Sequence, residues 1–393
     1  MVHHGDKVNT FLNSIGRKNP KTARSYSSAL VLLDNFTTLQ YPEYDYNTII
    51  DAVIQQKINV YELLDKFVQY IQSVKVGITA KSIVAYLAAL RSYFSYHDVD
   101  VIPAKFRRKV FMPRIHREDE QPLDAADIRR LLLNCNNRRL KVYLLVLASG
   151  GMRAVEALAI RNRDIDLSFN PAKIHIRAEY SKTKVGRDIY ISEEATKYLK
   201  QWLEWKYKNP DRRRKFDKDD LVFTVYQTAS KPEILYQKIW YEFLRLLRIV
   251  NMDEKKKSGI KKRRLFTFHS LRRFVKTVIS DQVGQDYSEW FLGHSKSPYW
   301  TMKESKKREI YSTKIMKYLT FLDYSTLETT GKNIEIKLEE KDKEIQILKN
   351  HYDGEMKKIR EDMNRILSMI QQNPQLAQIK PERLSKKVKI IQV

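Results

Sequence analysis

Three short stretches of this chain gather cations and imidazoles, two of them at glycine turns. In Ala148-Ser149-Gly150-Gly151-Met152-Arg153, an arginine follows directly on a glycine pair that ends an apolar run. Glu156 lies one helical turn beyond Arg153, where its carboxylate can hold the guanidinium in place. Thr267-Phe268-His269-Ser270-Leu271-Arg272-Arg273 puts His269 and Arg272 on neighbouring positions of one helix face. Trp290-Phe291-Leu292-Gly293-His294-Ser295 closes an apolar stretch with a further histidine at a glycine. Arginine keeps its charge and offers a planar fork of donors, which suits the nonbridging oxygens of a phosphodiester. Chemistry at such a phosphate also needs a nucleophile and a proton donor for the leaving oxygen. Each stretch alone is weak, because arginines are normally surface residues and a lone helical histidine is more often structural than catalytic. An arginine at the seam between an apolar run and Ala154-Val155-Glu156-Ala157-Leu158 is a more deliberate placement.

The bulk composition agrees with a polyanionic partner. The 393 residues carry 73 Lys+Arg against 47 Asp+Glu, a net charge of +26, which repels itself unless nucleic acid or an anionic surface takes it up. A membrane is the competing surface, but no run of about 20 apolar residues occurs and no strongly basic amphipathic helix stands out. The segment from Met1 to Phe11 has no apolar core of the signal-peptide kind. The single cysteine, Cys135, excludes an intramolecular disulfide, and no Cys/His cluster has zinc spacing. These features predict a soluble, DNA-facing protein of a reducing compartment, cytoplasmic and nucleoid-associated, with no zinc site.

The elements that must position the three stretches are mainly helical. Asn19-Pro20 starts a helix with Tyr26, Leu30, Leu33 and Phe36 on one face, and Thr79 caps another carrying Ile83, Leu87, Leu90 and Phe94. Lys81 and Arg91 fall on the second helix's other face and, with Arg17, Lys18, Lys21 and Arg24, suggest a DNA-gripping helical domain over 1–106. Singly, such charges are more often solvent-facing. From Arg107 the pattern breaks down, and 107–123 reads as a linker. Asp124 with Asp127 then opens a helix, and Leu140 to Leu147 is a buried helical run. Ile174 and Ile176 alternate with His175 and Arg177, and Ile189 with Tyr190 and Ile191, so a β-hairpin turns at Lys184-Val185-Gly186. Helical patterns return around Trp202 and from Tyr236 to Ile249, with basic runs at Arg212–Lys215 and Lys255–Arg264 that read as solvated loops. Leu338, Ile345, Tyr352, Ile359 and Ile366 recur every seven residues, which fits a coiled coil weakened by Gly354 or a single charged helix on the body. The extension spans 326–370, and 371–393 is a basic tail.

In this order, Gly-Met-Arg153-x-x-Glu156, a hairpin lysine, His269-x-x-Arg272, Leu-Gly-His294 and a following tyrosine resemble the tyrosine recombinase (phage-type integrase) pattern. The resemblance covers about 124–325, and the first domain looks like that family's core-binding domain. The Leu319-Thr320-Phe321-Leu322 ending and the heptad tail are most similar to integrases of archaeal mobile elements. The resemblance implies a mainly α fold with a small β-sheet or hairpin in an α+β catalytic domain, and a helical tail. It implies that Arg153 and Arg272 clamp the scissile phosphate, that His294 adds a hydrogen bond, and that His269 serves as general acid/base. Glu156 would order Arg153. The hairpin lysine would protonate the leaving 5′-oxygen, and Lys182, ahead of the turn, matches better than Lys184. The partners it implies are double-stranded DNA attachment sites and three further copies of the chain, in a tetramer on DNA, with no metal or ATP.

The nucleophile departs from the pattern, because Tyr299 comes sooner than the family's usual spacing after the Gly-His and Tyr311 later. Ser295-Lys296-Ser297-Pro298 is loop-like, which lets Tyr299 swing into the site with Trp300 as an anchor. Tyr311 shares helical spacing with Ile315 and Tyr318, as on a packing helix. Tyr299 is therefore the favoured nucleophile, with Tyr311 left open. Two rival functions share these residues: the same chemistry with another output, such as a topoisomerase or a resolvase of DNA ends, and a DNA-binding or architectural protein that has lost catalysis.

Overall fold

The computed structural model describes residues 6–115, 122–208, 215–225, 231–255, 264–294 and 297–322, with 345, 346, 349, 352–365 and 368 of the C-terminal region. Residues up to Leu319 form one compact unit, and Thr320–Val393 form a second. Among the described residues no helix is long and apolar enough to cross a membrane.

The first unit begins with six helices: α1 (Asp6–Lys18), α2 (Pro20–Gln40), α3 (Thr48–Ile54), α4 (Val60–Val74), α5 (Ala80–Tyr96) and α6 (Pro103–Lys109). Asn19 and Thr79 cap α2 and α5 with their side chains, as their types and positions predict, and Asn59 does the same for α4. Phe11, Leu33, Phe36, Leu64, Phe67, Leu90 and Tyr93 meet in one core. The Phe36 ring lies 5.4 Å from those of Phe67 and Tyr70, so truncating it would cost about 3–5 kcal/mol. The helical region runs on through Lys109, so the start of the segment read as linker is helical. Pro103 opens α6 at a position where its missing N–H costs nothing, and Val110 buries against the same core. Arg91 also differs from expectation, because its guanidinium lies 4.9 Å over the Phe106 ring rather than on an open charged face. Arg17, Lys18, Lys21, Arg24 and Lys81 are exposed.

The rest of the unit is built around α8 (Arg138–Gly150), which is buried from Val142 to Gly150 and follows α7 (Ala125–Leu133) with its Asp124–Asp127 capping box. After α9 (Ala154–Leu158), strands β1 (Ile165–Asp166), β2 (Ala172–Ile176) and β3 (Arg187–Ile191) form an antiparallel sheet in the order β1-β2-β3, with Ile174 opposite Ile189. The hairpin is as predicted, but its connection spans the whole stretch from Arg177 to Gly186. Ile189, Tyr190 and Ile191 are all buried, so β3 is covered on both faces. Helices α10 (Glu193–Lys208), α11 (Pro232–Ile249), α12 (Phe268–Gln282), α13 (Gln285–Phe291) and α14 (Glu304–Ile310) complete the layer. The basic run Lys255–Arg264 is described only at its ends, which pair as an antiparallel bridge, and of Arg212–Lys215 only Lys215 is described.

Beyond α14 the chain continues as a π turn, Tyr311–Ile315, and a 3-10 turn, Met316–Leu319. Tyr311, Ile315 and Leu319 are buried while Tyr318 is exposed. A π turn holds more residues than an α turn, which moves the inward stripe on from Tyr318 to Leu319. In the second unit, residues 352–365 are helical. Of the heptad residues, Leu338 and Ile366 lie outside the described residues, as does the 371–393 tail.

Candidate active site

The site is laid out by two glycines whose lack of a side chain is obligatory. Gly151 ends α8 at φ +59, and a Cβ there would stand 2.8 Å from Val275 Cγ1 on α12. The backbone is thus pressed onto α12, which brings the Gly151 carbonyl to Arg272. Arg272 Nη1 donates to Gly151 O at 2.7 Å and Nη2 donates to Leu292 O at 2.6 Å. One buried guanidinium therefore joins the end of α8 to the end of α13. A guanidinium has five N–H donors, and these two bonds use two of them. Burial, and then the nearby Arg153 charge, push the Arg272 pKa down to about 9, which leaves it protonated at neutral pH.

Arg153 is the residue before α9, and Glu156 is the third residue of that helix. Glu156 accepts from Arg153 N at 2.9 Å and from Arg153 Nη1 at 2.6 Å. The same carboxylate accepts from Arg187 Nη2 at 2.8 Å. Burial raises the Glu156 pKa, but the Arg187 charge and the bonds from Arg187 and Arg153 outweigh it and hold the carboxyl below its ordinary range. Arg187 opens β3, and its side chain is 0% exposed. Its Nε donates to Phe291 O at 3.2 Å, and its guanidinium fills the space where a Gly293 Cβ would stand, 2.7 Å from Nη1. Gly293 has φ +79, a conformation that favours glycine on its own account.

The two histidines lie at the helix ends around these arginines, and the hairpin connection that carries Lys182 is tied to the Gly293 turn. His269 stands at the start of α12, and partial burial of its ring, then the Arg272 and Arg153 charges, lower its pKa. His294 follows the Gly293 turn, and its Nδ1 pairs with Glu289 Oε2. Glu289 also holds Lys276 Nζ at 2.8 Å, and that bond is the first of the interactions keeping its carboxyl below the ordinary range. With Nδ1 given to a carboxylate, Nε2 is the His294 nitrogen left for a ligand. Lys182 is exposed on the hairpin connection, and its neighbour Thr183 donates to Gly293 O at 3.4 Å, tying that connection to the Gly293 turn. Lys184 sits at φ 56 and donates to Glu179 O within its own loop.

The two tyrosines differ in accessibility. Tyr299 is half-buried in a 3-10 turn, Pro298–Trp300, with its ring edge-on to Tyr287 at 5.2 Å. Trp300 Nε1 donates to His294 O at 3.0 Å, so the indole anchors this segment back onto the site. Tyr311 is fully buried, stacked on Phe291 at 5.5 Å, and its hydroxyl donates to Ser149 O at 3.0 Å. Burial raises its pKa far above that of a free phenol.

The structure therefore gathers Arg153, Glu156, His269, Arg272 and His294 at the ends of α8, α12 and α13, with the Lys182 and Tyr299 segments tied to the Gly293–His294 turn. Arg187 and Glu289 escape sequence reasoning. One signal is available for Arg187, since an arginine opening a strand with the apolar run Ile189-Tyr190-Ile191 calls for a buried acceptor. Glu289 gives none, because its bond to His294 crosses the end of a helix. The arrangement can hold the nonbridging oxygens of a phosphodiester between two guanidinium groups with an imidazole alongside. Among the described residues no group of three or more His, Cys, Asp or Glu side chains could hold a metal ion.

Residues 121–299 match the model of the phage integrase family. Over 315 residues the chain is 21% identical to transposase A from transposon Tn554 of Staphylococcus aureus, covering 72% of this chain and 82% of that protein. Over 121 residues it is 26% identical to tyrosine recombinase XerA of Saccharolobus solfataricus, covering 31% of this chain and 38% of that one. Among solved structures, it is similar to XerH recombinase bound to palindromic difH substrate in a post-cleavage complex, with TM-score 0.49, 18% identity, and coverage of 80% of each chain. A lambda integrase tetramer bound to a Holliday junction gives TM-score 0.48 and 12% identity, covering 76% of this chain and 79% of that one.

Proposed function

We propose that this chain is a site-specific tyrosine recombinase that cuts and rejoins DNA through a 3′-phosphotyrosine intermediate, and so integrates or excises a mobile element. The observation that carries the reading is Arg272, immobilised by two backbone carbonyls, beside Arg153 held by Glu156. Such a pair is already organised for the charge that develops on a phosphorane and needs no reorganisation during the reaction. The family match over residues 121–299 supports it. The relatives named above do not single out archaeal mobile elements, since the Tn554 transposase is from a bacterium, so that narrower origin is part of the proposal only.

In this reading Arg153 and Arg272 hold the nonbridging oxygens and His294 Nε2 adds a hydrogen bond. The Tyr299 oxygen attacks phosphorus, its proton passing to neutral His269, while the bond to the 5′-oxygen breaks and Lys182 protonates that oxygen. The phosphotyrosine bond keeps the energy of the broken one, so a 5′-hydroxyl of another strand can reverse the step without ATP. The helical region through Lys109 grips DNA, and four copies act together on it.

The test is a suicide substrate that traps the covalent intermediate, run in EDTA. A denaturation-resistant protein–DNA adduct supports the recombinase. Retention on DNA without an adduct would make the chain a binder, and an adduct that requires magnesium would overturn the metal-free mechanism.

A further inference from the structure

The helix over residues 352–365 is exposed along its whole length. Its apolar members are Tyr352, Met356, Ile359 and Met363, each between 39% and 66% exposed. They follow one another at alternating steps of four and three, which on an α-helix forms a single stripe winding slowly around the axis. An isolated helix of this length is marginal in water, so the stripe calls for a partner helix.

The charges beside the stripe point to a second copy of the chain. With Met356 and Met363 at a and Tyr352 and Ile359 at d, Glu355 and Asp362 fall at g, and Asp353 and Arg360 at e. In a parallel, in-register pair, each g residue lies beside the e residue of the partner's next heptad. Glu355 then faces Arg360 of the second copy, and symmetry makes this attraction twice, with no like-charge contact among these four positions. An antiparallel pair sets Glu355 against Asp362, and that repulsion cancels the attraction between Asp353 and Arg360. Lys349, at the preceding a position, favours two strands, between which its ammonium can reach water. Gly354 takes position f, farthest from the partner, and nothing lies within 4 Å of where its Cβ would be.

We propose that residues 352–365 pair as a parallel, in-register coiled coil with the same residues of a second copy of this chain. The pairing needs no DNA, so it stands or falls independently of the recombinase reading. The test is sedimentation equilibrium of the full chain without DNA, which should give a concentration-dependent dimer. Glu355→Arg or Arg360→Glu turns two attractions into two repulsions and should raise the dimer dissociation constant on the order of tenfold. The double charge swap restores both attractions and should return it to near the starting value. Gly354→Ala should tighten the dimer, because alanine favours the helix and f makes no contact. Ile359→Cys should cross-link two chains on mild oxidation, since only in-register parallel helices bring identical d positions together, and the native Cys135 is buried. A monomer at all concentrations overturns the proposal. So does a dimer that is insensitive to the single swaps, one that the double swap fails to restore, or one in which Ile359→Cys does not cross-link.

Discussion

Replacing Glu156 with leucine should unmask the cost of the buried charges beneath the site. The carboxylate is 2% exposed and takes bonds from Arg153 N, Arg153 Nη1 and Arg187 Nη2. Leucine would leave the fully buried Arg187 guanidinium with only the Phe291 carbonyl as partner. Removing one member of a buried ion pair costs about 3–5 kcal/mol. Arg153 adds little to that figure, because its side chain is 26% exposed and water can replace the lost acceptor. In the compact unit of roughly 300 residues each kcal/mol moves the melting midpoint by roughly 1.5 °C, so the variant should melt about 5–8 °C lower. Adding Arg187→Leu removes the stranded cation and should recover a large part of the loss, a coupling that a double-mutant cycle measures directly. The folded-state pKa of Glu156 lies below its unfolded value near 4.5. Its contribution is therefore complete above that value and lost as pH falls through the lower folded pKa, and Glu156→Leu should flatten that acid limb. Thermal melts followed by circular dichroism provide the assay. An unchanged midpoint in the single variant, or simple additivity in the double, would refute the reasoning.

Four further outcomes follow from the same geometry. Gly293→Ala places a Cβ against the Arg187 guanidinium at φ +79, so it should lower both melting midpoint and cleavage, and a wild-type melt would remove Arg187 from under that turn. Arg153→Lys keeps the charge but loses the fork, so DNA binding measured by gel shift should survive while cleavage falls by about 10²-fold or more; normal cleavage would make Arg153 structural. Tyr299→Phe should bind DNA yet form no adduct, whereas Tyr311→Phe should still form one and lose about 1 kcal/mol from the abandoned Ser149 carbonyl. The reverse adduct pattern on a denaturing gel would transfer the role to Tyr311. With the His269 pKa lowered from its ordinary value of 6.5, the acid limb of the cleavage rate should lie below the pH at which a free histidine titrates. A limb at or above 6.5 that His269→Asn abolishes would contradict this.

The parts of the fold and site legible in the sequence are those written in local rules. Asn19, Thr79 and the Asp124–Asp127 pair announce helix starts because capping uses neighbours in the chain. Gly151 and Gly293 mark the two turns of the site because each requires φ above zero. Arg153 and Glu156 are readable as a pair because three residues separate them. What was not legible depends on distant partners. Arg187 matters because β3 is covered on both faces and its guanidinium lies under Gly293, a contact that no local spacing encodes. Arg91 looked like a DNA-facing cation until α6 brought Phe106 beneath it. The π turn at Tyr311–Ile315 moved the buried stripe off Tyr318, and periodicity alone assumes an unbroken α-helix.

The Trp300 indole, bonded to the His294 carbonyl, acts as a short leash. It closes the chain from His294 to Trp300 into a ring whose two ends meet at the Gly293 turn, and Tyr299 sits next to the knot. While that bond holds, a side chain on so small a loop stays near the Gly293 turn. If Tyr299 is the nucleophile, opening the knot would widen the set of places its hydroxyl can reach. Trp300→Phe cuts the leash and keeps the ring, so it would release the tyrosine from the Gly293 turn without removing it from the reaction.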